Sequence, residues 1–349
     1  VPGFESLIDQ DRPIRILSAF LQRGTIPHAL LFTGREGVGK ENAAVIFAKA
    51  VNCEGGDVEP NPESGASRAE HGLETTARFR AGKPCDSCKS CRKIKSDNHP
   101  DVIRVKPSGP FIKIDQIRDL CQTLAMRPYE ARIRVVIISD AQAMNPSAGN
   151  ALLKILEEPP AGTILILVAT QTADLLPTIV SRCQHLRFNP ISRDSLKAAL
   201  VHRVGLDPAK ATIIAGMAHG SFDRALALHR TNWIRRRNRL IKELTALSPE
   251  STGRLLALGE QLSKDKEALP EALEVMESWY HDLIIARYDP EKIINQDLAG
   301  TVQQTSQKKD MAGLLSKMET LQSTRQALQA GTNLRLAMEA MLLKLGATP

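Results

Sequence analysis

Apolar residues recur at helical spacing over residues 5–24, at Leu7, Ile8, Ile14, Leu17, Phe20 and Leu21, with an interruption near Pro13. A compact apolar strand, Ala29–Thr33, then runs into a glycine-rich turn, and a helix follows with Ala43, Ala44, Ile46, Phe47, Ala48 and Val51 on its buried side. Residues 54–84 lose this periodicity and read as a loop or insertion. From Asp101 the regular pattern resumes, with strands at 102–105, 134–138 and 163–169 and helices at 112–124 and 147–156. Strands alternating with helices predict a parallel sheet covered on both faces. Beyond Pro190 the spacing is helical throughout: 192–204, 208–219, 222–239, then Leu255 to Ile284 and 314–345. The expected division is an α/β domain over 1–188, a small helical domain over 189–246 and a helical C-terminal domain over 247–349.

Composition narrows the class. At ~150 residues per domain, 349 residues make two or three domains. Aromatics at 4% leave the cores to aliphatic side chains, which favours helix-rich or α/β architecture over a β-sandwich. No apolar run reaches the ~20 residues of a membrane span, and the first residues lack the basic-then-apolar order of a secretory signal. A cytoplasmic protein without membrane contact is expected. The net charge of +7 permits nucleic-acid binding without demonstrating it. The densest basic run, Arg235, Arg236, Arg237 and Arg239 after Trp233, reads as a solvated or interdomain helix face.

Gly34, Gly37, Gly39 and Lys40 lie between a strand and a helix, the setting of a phosphate-binding loop. Its backbone N–H groups and the helix start form an anion cradle, with Lys40 reaching the outer phosphates. A working loop follows its lysine with Ser or Thr to ligate Mg²⁺; here the residue is Glu41. Asp140 ends the 134–138 strand as a metal-associated acid, but Ala141 stands where a second carboxylate would polarise water. The scaffold of an ATPase is present and its hydrolytic chemistry is not, leaving ATP binding an open question.

Three of the six cysteines form a C-x-x-C-x-x-C turn at Cys85, Cys88 and Cys91, and Cys53 ends the helix after the phosphate loop. Four thiolates close a tetrahedral structural Zn²⁺ site without an open position; an iron–sulfur cluster is the competing metal reading. The zinc module spans about 53–95. His71 and His99 read as exposed loop residues, Cys121 and Cys183 as buried thiols.

The segment from Asp140 through Asn150 to Leu156-Glu157-Glu158-Pro159-Pro160 resembles bacterial clamp-loader subunits of the AAA+ family, as do Ser181-Arg182-Cys183 and Ile26-Pro27-His28-Ala29. The resemblance covers about the first 245 residues; the remainder matches only as a helical domain of suitable length. It implies an AAA+, RecA-like P-loop domain carrying a four-cysteine zinc module, a helical lid and an all-α collar. It also implies a hetero-pentameric loader of the DNA polymerase III holoenzyme, with tau/gamma motor and delta subunits as partners. Such a loader closes the sliding clamp around primer-template DNA, contacted through phosphates. With Glu41 and Ala141, the implied role is a stationary, non-hydrolysing subunit whose Arg182 completes the neighbouring motor's ATP site as a trans arginine finger. The family's lid pattern Gly-Ser-x-Arg appears as Gly220-Ser221-Phe222-Asp223, with Arg224 one place late, and Thr170 falls at its polar sensor. The alternatives are an ATP-hydrolysing tau/gamma-type motor, which calls for Ser or Thr at 41 and Glu at 141, and a zinc-stabilised DNA-binding protein.

Overall fold

The computed structural model describes residues 3–55, 59–60, 73–74, 77–78, 83–246, 252–266 and 268–347. It forms two compact units: Val1–Leu196 with Gly220–Asp223, and Lys197–His219 with Arg224–Pro349.

In the first unit, helix α1 (Asp11–Arg23) holds Pro13 in its first turn, where the missing N–H removes no helical bond. The predicted interruption is therefore the helix start, preceded by a separate 3₁₀ turn at Phe4–Ser6. Strands β1 (Ala29–Thr33), β3 (Arg134–Ile138) and β4 (Thr163–Ala169) are buried along their whole length. Their continuous apolar runs suit strands covered on both faces. With β2 (Val102–Val105) and β5 (Gln184–Arg187) they make a parallel sheet in the order β2-β3-β4-β1-β5. The fifth strand escapes a hydrophobicity reading because only Leu186 of its four residues is buried.

One face of the sheet packs on α1 and α2 (Lys40–Asn52) through Leu17, Leu21, Phe47 and Val51. The other packs on α4 (Ile114–Ala125) and α5 (Pro146–Glu157) through Leu120, Leu124, Leu152 and Leu156. This layered arrangement puts the phosphate loop and Asp140 at the carboxyl ends of β1 and β3, one strand apart. Open α/β sheets present their sites at that end. Within the aperiodic segment, Thr25–Ile26 pairs with Leu73–Glu74 and Glu59–Pro60 with Ala77–Arg78. His71 and most of the 54–84 insertion lie outside the described residues. Beyond it come α3 (Lys89–Lys95) and the short α6 (Pro177–Val180).

Helix α7 (Arg193–Ala199) carries the chain into the second unit, whose elements are helical among the described residues: α8 (Pro208–Met217), α9 (Phe222–Arg230), α10 (Trp233–Thr245), α11 (Thr252–Lys264), α12 (Leu269–Ile285), α13 (Ala299–Gln307), α14 (Met311–Gln329) and α15 (Leu334–Ala347). The stretch read as one helix over 222–239 is two, divided at Asn232, whose φ of 50° ends the helical register. Among the described residues, no helix is long and apolar enough to cross a membrane.

In the basic run on α10, Arg235, Arg236 and Arg239 are exposed as a solvated face requires, and Arg237 departs from it. Arg237 is 1% exposed, pairs with Asp297, donates to Asn295 Oδ1 at 3.1 Å and lies 5.6 Å from the Trp233 ring centroid. Asn295 is held in turn by the fully buried Asp282, which accepts the Ile294 and Asn295 backbone N–H groups at 2.8 Å each. Arg236 and Arg239 pair with Glu271 and Glu243. Local charge density gave no sign that one member of the run is a core residue, because its acids lie about sixty positions downstream.

Candidate functional site

The strand-to-helix turn after β1 has the backbone of a phosphate loop. Gly34 and Gly37 take φ values of +147° and +71°, in a region where side chains are strained. A Cβ on Gly34 would collide with the Phe188 carbonyl oxygen, and one on Gly37 with the Ser221 hydroxyl. Gly39 precedes Lys40 as the helix N-cap. The Phe222 N–H donates to the Gly37 carbonyl at 2.9 Å, so the Gly220–Asp223 segment packs directly on the loop. Lys40 is 6% exposed and donates to the carbonyls of Gly34 and Arg35, both at 2.6 Å. Burial lowers its pKa against the opposing pull of Glu36, Asp140 and Glu41.

The remaining cis machinery is similarly engaged. Asp140 has a left-handed backbone (φ 50°) and accepts from Gln142 Nε2 at 3.3 Å; Ala141 beside it is buried. Thr170 donates its hydroxyl to Asp174 Oδ2 at 3.1 Å. Arg224 pairs with Glu274 inside the second unit, where His219 Nε2 also lies 3.2 Å from that carboxylate. Burial alone would raise the Glu274 pKa; its bonds to His219 and Arg224 bring it below the usual value.

Arg182 follows α6 and is 37% exposed. Its Nη1 donates to the Thr178 carbonyl at 3.0 Å and its Nη2 lies 2.8 Å from Glu157 Oε1. Glu157 belongs to the quoted resemblance segment, but sequence alone did not mark it as the partner of Arg182. The signal would have been its position as the last residue of α5.

The four cysteines converge. The sulfurs of Cys53, Cys85, Cys88 and Cys91 all lie within 4.8 Å of one another. Cys53 caps the C-terminus of α2 and Cys88 the N-terminus of α3. Backbone N–H groups of Cys85, Cys88 and Cys91 donate to the sulfurs of Cys53, Cys85 and Cys88 at 3.3, 3.3 and 3.4 Å. A side-chain bond from Ser87 and backbone N–H groups bring the Cys85 thiol down to about 5, toward the ligating thiolate, whereas burial raises those of Cys53 and Cys91. A tetrahedron with metal–sulfur bonds of ~2.3 Å has sulfurs ~3.8 Å apart, so the cluster fits a single ion. Gly55 has no room for a side chain, since a Cβ there would come within 2.9 Å of Cys85 Sγ. Four sulfurs around one ion would leave no open coordination position.

Cys121 and Cys183 stand apart, partly buried against the core, and burial pushes the Cys183 thiol up to about 12. His99 is a correction: it is 6% exposed, with Nδ1 accepting the Asp101 N–H at 3.2 Å. It sits beneath the turn that Asp101 organises. The Asp101 carboxylate accepts the backbone N–H groups of Tyr129, Glu130 and Ala131 at 2.9, 2.7 and 2.8 Å. Burial would raise its pKa, but these bonds and Arg134 hold it below the usual carboxylate range.

The family described as "DNA polymerase III, delta subunit" matches residues 9–75 and 74–192, and that described as "DNA polymerase III, delta subunit, C terminal" matches 231–346. The chain belongs to this DNA polymerase III delta-subunit family. The DNA polymerase III subunit delta' of Bacillus subtilis (strain 168) is 28% identical over 340 residues, 96% of each chain. The subunit delta' of Pseudomonas aeruginosa is 29% identical over 341 residues, 92% of each chain. The subunit tau of Bacillus subtilis (strain 168) is 32% identical over 230 residues, which are 64% of this chain and 37% of that protein.

Proposed function

We propose that this chain is the delta'-type subunit of a DNA polymerase III clamp loader, a stationary member that does not hydrolyse ATP and supplies Arg182 to the ATP site of a neighbouring motor subunit. The carrying observation is a contrast within one unit: Lys40 is bound into its own loop beside Glu41 and Ala141, while Arg182 stands at the surface. A cationic finger neutralises charge developing on the transferring phosphoryl oxygens and is worth ~10³–10⁵ in rate. End-to-end similarity to delta' chains supports this reading over the motor alternative. The tau relative matches 64% of this chain, and a motor calls for the hydroxyl and carboxylate that positions 41 and 141 lack.

In this reading the α/β domain over 1–188 works with a helical lid over 189–246, and the helical domain over 247–349 builds the collar of a ring shared with tau/gamma and delta subunits in the cytoplasm. The ring loads the sliding clamp on primer-template DNA, which it holds through phosphates. Zn²⁺ is the metal of Cys53, Cys85, Cys88 and Cys91, where it would tie the end of α2 to the start of α3. Its chemistry there is cross-linking alone.

The test is ATP hydrolysis by the purified chain, then by the assembly after tau/gamma and delta subunits are added. No turnover by the chain alone, with turnover in the assembly dependent on Arg182, is the expected result. Robust turnover by the isolated chain would overturn the proposal in favour of the motor reading.

A further inference from the structure

An arginine that must meet a phosphoryl group across a subunit boundary needs a defined direction. A free surface arginine spreads over many rotamers, and fixing it costs side-chain entropy. In this chain the guanidinium is held from two sides. Nη1 donates to the Thr178 carbonyl at 3.0 Å, with Ser181 Oγ at 3.4 Å, and Nη2 meets Glu157 Oε1 at 2.8 Å. These contacts fall on the two Nη groups of a guanidinium whose planar fork can grip a phosphoryl oxygen bidentately.

The support under Glu157 is rigid. It is the last residue of α5, directly after the buried Ile155 and Leu156. The opposite end of α5 packs closely on the turn and helix that precede Arg182: a Cβ on Gly149 would lie 2.8 Å from Leu176 Cδ1 and 3.7 Å from Ile179 Cδ1. Close approach at Gly149 thus sets α5 against α6, and Glu157 transmits that placement to the guanidinium. As an isolated ion pair, 37% and 52% exposed, it contributes little to stability. Its consequence is direction.

We infer that Glu157 is the positioning residue of the finger, pairing with Nη2 of Arg182 so that the guanidinium is aimed at the neighbouring subunit's phosphoryl group. This rests on the finger reading above. The role requires an acceptor oxygen and not a negative charge, so the amide variant serves as the conservative control.

The experiment reconstitutes the loader with full-length chain and measures ATP turnover for Glu157→Ala, Glu157→Gln, Arg182→Ala and the Glu157→Ala/Arg182→Ala double variant. Glu157→Ala should lower kcat about tenfold with KM for ATP, assembly and melting temperature unchanged. Glu157→Gln should stay within about twofold of the native chain, since its carbonyl still accepts. In the Arg182→Ala background, Glu157→Ala should change nothing further. Native or raised turnover for Glu157→Ala, while Arg182→Ala is impaired, would overturn the positioning role and leave the finger standing. Native turnover for Arg182→Ala itself would remove the finger, and the inference with it.

Discussion

At the carboxyl end of β1, the Lys40 ammonium is 6% exposed and bonded to two carbonyls of its own loop; after α6, Arg182 stands 37% exposed, braced by one carbonyl and one carboxylate. Both cations belong to the first unit. The lysine's burial lowers its pKa, while the arginine stays at the surface. In the proposed reading a P-loop fold loses its own chemistry and still presents a cation outward. The sheet needs the glycine turns and the apolar strands, and neither depends on hydrolytic residues at positions 41 and 141.

The largest effect expected is at the cysteines, at the far end of the helix that begins with Lys40. Cys88→Ser with Cys91→Ser should abolish stoichiometric metal measured by elemental analysis. It should also lower the melting temperature of the first unit strongly, because structural zinc is worth ~10–16 kcal/mol in small modules. A metal-free variant with native melting would refute the structural role. Arg182→Ala comes next: turnover by the assembled loader should fall by ~10³ or more, with assembly by size exclusion intact. Unchanged turnover would dissolve the contrast between the two cations.

A smaller effect is expected at Asp101. Asparagine there would turn an amide N–H₂ toward donors or leave them short of an acceptor, at a cost of ~1–3 kcal/mol in urea unfolding. The sign with pH follows from its lowered pKa. The carboxylate's contribution is complete above the ordinary value near ~3.9 and is lost as pH falls through the lower folded value. The native chain should lose stability over that acid range, and Asp101→Asn should lose less. Smallest of all, Lys40→Ala should leave turnover of the assembled loader within about twofold, since in the proposed reading this lysine, bonded to two carbonyls of its own loop, takes no part in the neighbour's site. A fall of the size expected for Arg182→Ala would mean that the phosphate loop is in use.

Local pattern was enough for much of this protein. Apolar runs in β1, β3 and β4 marked strands buried on both faces, and the strand–glycine–helix order marked the phosphate loop. Cysteine spacing marked Cys85, Cys88 and Cys91 as one group, which Cys53 at the end of α2 joins. Which face of an element its apolar side chains bury follows from the order of residues alone, and so does the absence of a hydroxyl at 41 or a carboxylate at 141. What tertiary structure decided are pairings between distant positions. The edge strand β5 earns its place from β1 and not from its own polar sequence. Arg237 becomes a core residue through Asn295 and Asp297, His99 is buried under the turn tied to Asp101, and Glu157 reaches Arg182 only because α5 ends beside it. Hydrophobic periodicity records how much of a residue is buried; which distant acid meets which base is fixed only when the helices pack.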